Sequence, residues 1–193
     1  GLKFPGGEKA SIGKVLMLAG EDGVGDTMMP RVADMGGDLS KVAFSDYGFT
    51  LDAKGLAKLE ATIETFKPAL VTIDPLVVYM GTKVDINKAN EVRSIVGALG
   101  QIAQRQKCAI VAVRHLRKGS AGKDIYQGLG SIDFLAAARS VVKVVKEGEE
   151  RHIEQIKLNL MKEGGKIGYQ IDDGRLVWRD YKDHTEKPKV NLV

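Results

Sequence analysis

Ala69-Leu-Val-Thr-Ile-Asp74 decides the fold: an unbroken apolar and β-branched run ended by a carboxylate and then by Pro75. Continuous apolarity, rather than alternation, marks a strand buried on both faces, as in a parallel sheet. Two runs of the same kind lie on either side, Lys14-Val-Leu-Met-Leu-Ala19 and Cys108-Ala-Ile-Val-Ala-Val113, with a weaker one at Lys41-Val-Ala-Phe-Ser45. Helical patterns separate them. Residues 26–35 can form a helix that ends at Gly36-Gly37. From Asp52, the apolar residues Leu56, Leu59, Ile63 and Phe66 recur at helical spacing until Pro68. A long helix is predicted over residues 87–106, with Val92, Ile95, Val96, Leu99, Ile102 and Ala103 on its inner face.

After Arg139 the pattern changes. Residues 140–146, 152–160, 166–171 and 175–179 read as strands joined by turns such as Glu147-Gly148-Glu149 and Asp173-Gly174, and a short helix is expected over residues 131–137. Strands alternating with helices predict an α/β fold, a mostly parallel sheet covered on both faces with an antiparallel C-terminal extension. Residues 181–193 form a polar tail beyond the core of residues 1–180.

The chain has 193 residues, 44% of them hydrophobic and 28% charged, a balance that excludes a disordered chain. No apolar stretch approaches the roughly 18 residues needed to span a bilayer, and no secretory leader pattern opens the sequence. A single cysteine, Cys108, and three histidines exclude an intramolecular disulfide and a Cys/His zinc site. A cytoplasmic protein without a membrane partner is expected.

In parallel α/β sheets, chemistry gathers at the carboxyl ends of the strands. Those ends carry Glu21-Asp22, Asp74 and Arg114-His115. An apolar strand ending in Asp has the Walker B form, whose acid holds the Mg²⁺ of a nucleotide. Glu21 could orient or deprotonate a water, and Arg114-His115 could sense a phosphate. Each residue alone also reads as an ordinary solvated strand end.

Together with Leu18-Ala-Gly-Glu-Asp22, Met29-Pro-Arg31, Asp85-Ile-Asn87, Arg114-His115-Leu-Arg-Lys118 and Tyr126-Gln-Gly-Leu-Gly-Ser-Ile-Asp-Phe-Leu-Ala-Ala-Ala-Arg-Ser140, these residues resemble RecA-fold AAA ATPases of the plasmid and phage replicative helicase type, the RepA-like proteins. The resemblance covers residues 14–172. It implies a RecA-like P-loop NTPase core that uses ATP and Mg²⁺, with Glu21 as catalytic glutamate and Asp74 as the metal-holding acid. It further implies that His115 is the γ-phosphate sensor, that Arg114 binds nucleotide, and that Arg139 is an arginine finger reaching a neighbouring subunit. Lys157-Leu-Asn159 falls where related helicases place a second trans-acting Lys-x-Arg pair; Asn159 replaces that Arg, which leaves Lys157 as a further nucleotide-binding candidate. A finger acting in trans implies a head-to-tail homo-oligomeric ring, commonly a hexamer.

A P-loop, Gly-x-x-x-x-Gly-Lys-Ser/Thr, is absent from the sequence. Gly20-Glu-Asp-Gly-Val-Gly-Asp-Thr27 has the glycine spacing, but Asp26 stands where Lys is required, and a carboxylate repels a triphosphate. The first strand and the P-loop helix are therefore expected upstream of Gly1, and the chain alone is expected neither to bind ATP tightly nor to hydrolyse it. Between Glu91 and Asp124 seven Lys and Arg residues occur with no acid; Arg117, Lys118 and Lys123 fall in a glycine-containing loop that is a candidate contact for single-stranded DNA. A solvated basic loop is the plainer reading of the same residues. Two functions remain: the motor domain of a replication or recombination helicase-type ATPase, or a P-loop-less relative serving as a DNA- or protein-binding scaffold. An unrelated hydrolase built on Glu21, Asp74 and His115 would lack a nucleophile with a paired base.

Overall fold

The computed structural model describes residues 3–45, 48, 50–82, 84–115, 133–159 and 164–181. Four parallel strands form the first sheet: β1 (Val15–Ala19), β2 (Val42–Ser45), β3 (Leu70–Asp74) and β4 (Ala109–Ala112), in the order β2-β1-β3-β4. The register sets Leu16 beside Val71 and Leu18 beside Ile73, and Ala19 beside Asp74. Leu16, Leu18, Val71 and Ile73 are all buried, and each such side chain contributes about 1.5–3 kcal/mol relative to exposure.

Two helices cover that face. α2 (Ala53–Phe66) begins where the Asp52 carboxylate accepts the Gly55 amide at 2.9 Å, and it ends at Lys67 in the left-handed conformation, just before Pro68. α4 (Ala89–Gln106) presents Val92, Ile95, Leu99 and Ile102 to the core, with Val96 partly buried beside them. Of the residues expected on α2, Leu59 and Ile63 are buried, while Leu56 and Phe66 pack at the margin. Arg105 of α4 grips Glu60 of α2 through two bonds of 2.8 Å, and holds that carboxyl below its usual range. A short helix, α3 (Leu76–Tyr79), follows β3 across a cis Asp74–Pro75 peptide.

The segment after β1 departs from the expected single helix. A five-residue π-helical turn, Val24–Met28, leads into α1 (Met29–Asp34), and neither contributes a buried residue. Val15, Met17, Leu70 and Thr72, on the opposite face to Leu16 and Val71, are only half-buried. Among the described strands β4 lies at the sheet edge, paired only with β3, and its Val111 is 50% exposed. Burial of an apolar run depends on the element laid beside it, and among the described residues none flanks the outer edge of β4.

The C-terminal strands are a second sheet, not an extension of the first. β5 (Ser140–Glu147), β6 (Glu150–Leu158), β7 (Ile167–Asp172) and β8 (Arg175–Arg179) form an antiparallel meander in chain order. The turn between β7 and β8 places Asp173 and Gly174 at positive φ, as a tight Asp-Gly hairpin requires. A short helix, α5 (Asp133–Ala137), precedes β5.

Candidate nucleotide-facing rim

Parallel pairing brings the polar strand ends together. The Gly20 amide donates to the Asp74 carbonyl at 2.7 Å, so Glu21 leaves β1 directly beside the end of β3. The Val113 amide donates to the Ile73 carbonyl at 2.9 Å, which carries Arg114 and His115 to the same rim from β4. There His115 Nε2 lies 3.4 Å from Glu21 Oε2, with both side chains more than half exposed. Burial raises Asp74 above the ordinary carboxylate range; His115 opposes the rise, and the charges of Glu21 and Asp22 add to it. Four groups, three acids and an imidazole, thus act on one another at one edge of the sheet.

Asp22 was not among the residues singled out for chemistry, although it adjoins Glu21. Its carboxylate accepts Arg31 Nη1 at 2.8 Å. Across a solvated gap such a pair is weak, but it neutralises one of the three acids. The same geometry disposes of Gly20–Thr27 as a phosphate cradle. The Thr27 and Met28 amides are spent on the Gly23 carbonyl, and Thr27 Oγ1 donates to the Asp26 carboxylate at 3.1 Å. Those two amides and the hydroxyl are occupied internally, and the Asp26 carboxylate sits beside them.

The remaining candidates go elsewhere. Arg114 turns from the rim: its guanidinium lies 4.2 Å from the centre of the Phe134 ring, and burial depresses its pKa. Lys157 Nζ donates to the Leu135 and Ala136 carbonyls at 2.9 and 2.8 Å, binding the C-terminal turn of α5 in its own chain. Arg139 is exposed just ahead of β5, with its carbonyl accepting the Asn159 amide at 2.9 Å. Arg117, Lys118 and Lys123 lie outside the described residues. In the loop after β3, the Asp85 carboxylate accepts the Asn87 amide at 2.9 Å, forming an Asx turn.

Among the described residues no group of three or more His, Cys, Asp or Glu is set to hold a metal on its own. Mg²⁺ does not require one: it is usually bound through one or two carboxylates, waters and the phosphates of a substrate. Asp74, a hard oxygen donor beside Glu21 and Asp22, fits that mode. No described helix is long and apolar enough to cross a membrane.

No curated protein sequence matches the chain. A family model, the AAA domain, matches residues 1–121. That span takes in β1, β3 and β4 and every residue of the rim. The chain belongs to the AAA domain family, an ATPase-type family with the RecA-like α/β architecture seen in its sheets.

Proposed function

We propose that the chain is most of the motor core of a replication or recombination helicase-type ATPase, RepA-like in kind, which couples ATP hydrolysis to the handling of single-stranded DNA. The observation that carries this reading is the meeting of Glu21, Asp74 and His115 at one rim. Bound Mg²⁺ would neutralise charge on the phosphates, with Asp74 holding it. Glu21, more than half exposed, takes a proton from a water that attacks the terminal phosphorus. The bond from that phosphorus to the leaving diphosphate oxygen breaks as the new one forms. His115, 3.4 Å from Glu21, can exchange this partner for a phosphate oxygen, so arrival of the nucleotide frees the Glu21 carboxylate for its water. Arg139, exposed ahead of β5, would be the finger that reaches a neighbouring subunit if the motor assembles as a ring.

Among the described residues the rim has no phosphate cradle, and two features of the first sheet are consistent with one more strand and helix. The outer edge of the apolar β4 is unpaired among the described strands, and the face bearing Met17, Thr72 and Val111 is incompletely covered. A parallel strand on that edge would end beside His115, with its following loop at the rim. The core would then run through residue 180 with such a unit added, and residues 181–193 would be an appendage. The missing cradle equally favours the second reading, a non-catalytic scaffold. Expression of the gene product with its upstream residues decides between them. The motor reading expects Glu21→Gln to abolish hydrolysis while nucleotide binding persists; loss of binding as well would show that Glu21 is not the catalytic acid. Affinity for single strands falling steeply with salt, and weakened by Lys118→Ala, would support the DNA contact. A flat response would remove it.

A further inference from the structure

α5 is five residues long, far below the length at which a helix holds itself together. Three cations from three different elements hold it. Arg93 of α4 donates through Nε to Asp133 at 2.5 Å, and that carboxylate is buried in the first turn. Arg114, leaving β4, stacks on Phe134, which is itself buried. Lys157 of β6 closes the C-terminal carbonyls. The first two anchors belong to the parallel sheet and its helix, the third to the antiparallel sheet. Immediately after α5, the Ala138 amide donates to the Phe134 carbonyl at 3.3 Å, and Arg139 follows.

We propose that Arg114 is a positioning residue, which by stacking on Phe134 ties α5, and through it Arg139, to the strand end that carries His115. The function of Arg139 rests on the motor reading above; the mechanical tie does not. A guanidinium over an aromatic face is a cation–π contact, so an apolar chain of similar reach does not replace it. Arg114 thus faces Phe134, while His115, its neighbour in sequence, faces Glu21.

Hydrogen exchange on the 193-residue chain tests the tie. Arg114→Met and, separately, Phe134→Leu should each speed exchange of the Ala138 and Asn159 amides about tenfold. The Gly20 amide, bonded to the Asp74 carbonyl where β1 ends, should keep its protection, and the double variant should exchange no faster than either single one. Unchanged rates at Ala138 and Asn159, or a uniform rise that includes Gly20, would overturn the proposal. In a longer chain that hydrolyses ATP, Arg114→Met should lower kcat at constant KM and have no further effect when Arg139→Ala is already present. A rise in KM alone would mean that Arg114 holds the nucleotide itself, and the positioning role would fall. Absence of hydrolysis from every form would count against the motor reading, with the exchange result still deciding the tie.

Discussion

Among the described residues the two sheets are of equal strand number and bury their side chains differently. In the parallel sheet, Leu18, Val71 and Ile73 are 0–1% exposed beneath α2 and α4. In the antiparallel sheet, Val142, Val144 and Ile171 lie on one face and are at least half exposed. Connection explains the contrast. Each parallel crossover must return over the sheet and brings a helix to cover it, whereas hairpins bring nothing with them. The rim residues therefore stand on the more deeply buried half, and the finger candidate Arg139 stands at the entrance to the less covered half.

Core truncation should break the comparison most sharply. Ile73→Ala should cost about 2–5 kcal/mol in denaturant unfolding, through lost burial and a cavity. Val144→Ser, on the exposed face of the second sheet, should fall within about 0.5 kcal/mol of the parent. Equal costs would mean that the second sheet is covered after all. The joint between the halves comes next: Arg93→Ala leaves the buried Asp133 carboxylate without that partner, and should cost about 1–2 kcal/mol. Arg93 is well exposed, so a larger loss would be surprising.

The smallest effect belongs to Asp74. Its folded pKa is raised, so the native state binds that proton more tightly than the unfolded chain does. Its favourable contribution is therefore complete below the unfolded value of about 4 and is lost as pH rises through the raised folded value. Asp74→Asn should accordingly be more stable than the parent at neutral pH, with the difference closing as the solution is acidified. A difference that widened in acid would contradict the crowding of Asp74 by burial, Glu21 and Asp22.

Legibility in the sequence followed the range of the interactions. β1, β3, α2 and α4 were readable because unbroken apolar runs and 3.6-residue periodicity are local signals, reinforced by Asp52 at one helix start and Pro68 beyond its end. α3 was missed because Leu76–Tyr79 is too short to show a period. The edge position of β4 was not readable: Cys108 to Val113 has the composition of a central strand, and only its neighbours decide whether it is one. The rim was legible from three strand endings. The anchors of α5 were not, since Arg93 and Asp133 are 40 residues apart and Arg114 reads as a polar strand exit until Phe134 is seen beneath it. The contact of the Lys157 ammonium with the carbonyls of α5 was likewise not readable, because it joins residues more than 20 positions apart.

Isothermal titration of MgATP into the 193-residue chain, beside a longer form extended by the proposed P-loop strand and helix, tests the central claim most directly. An acidic rim without a phosphate cradle predicts no binding at micromolar concentrations by the shorter chain and micromolar binding by the longer one. Micromolar binding by the shorter chain, or none by either, would contradict it.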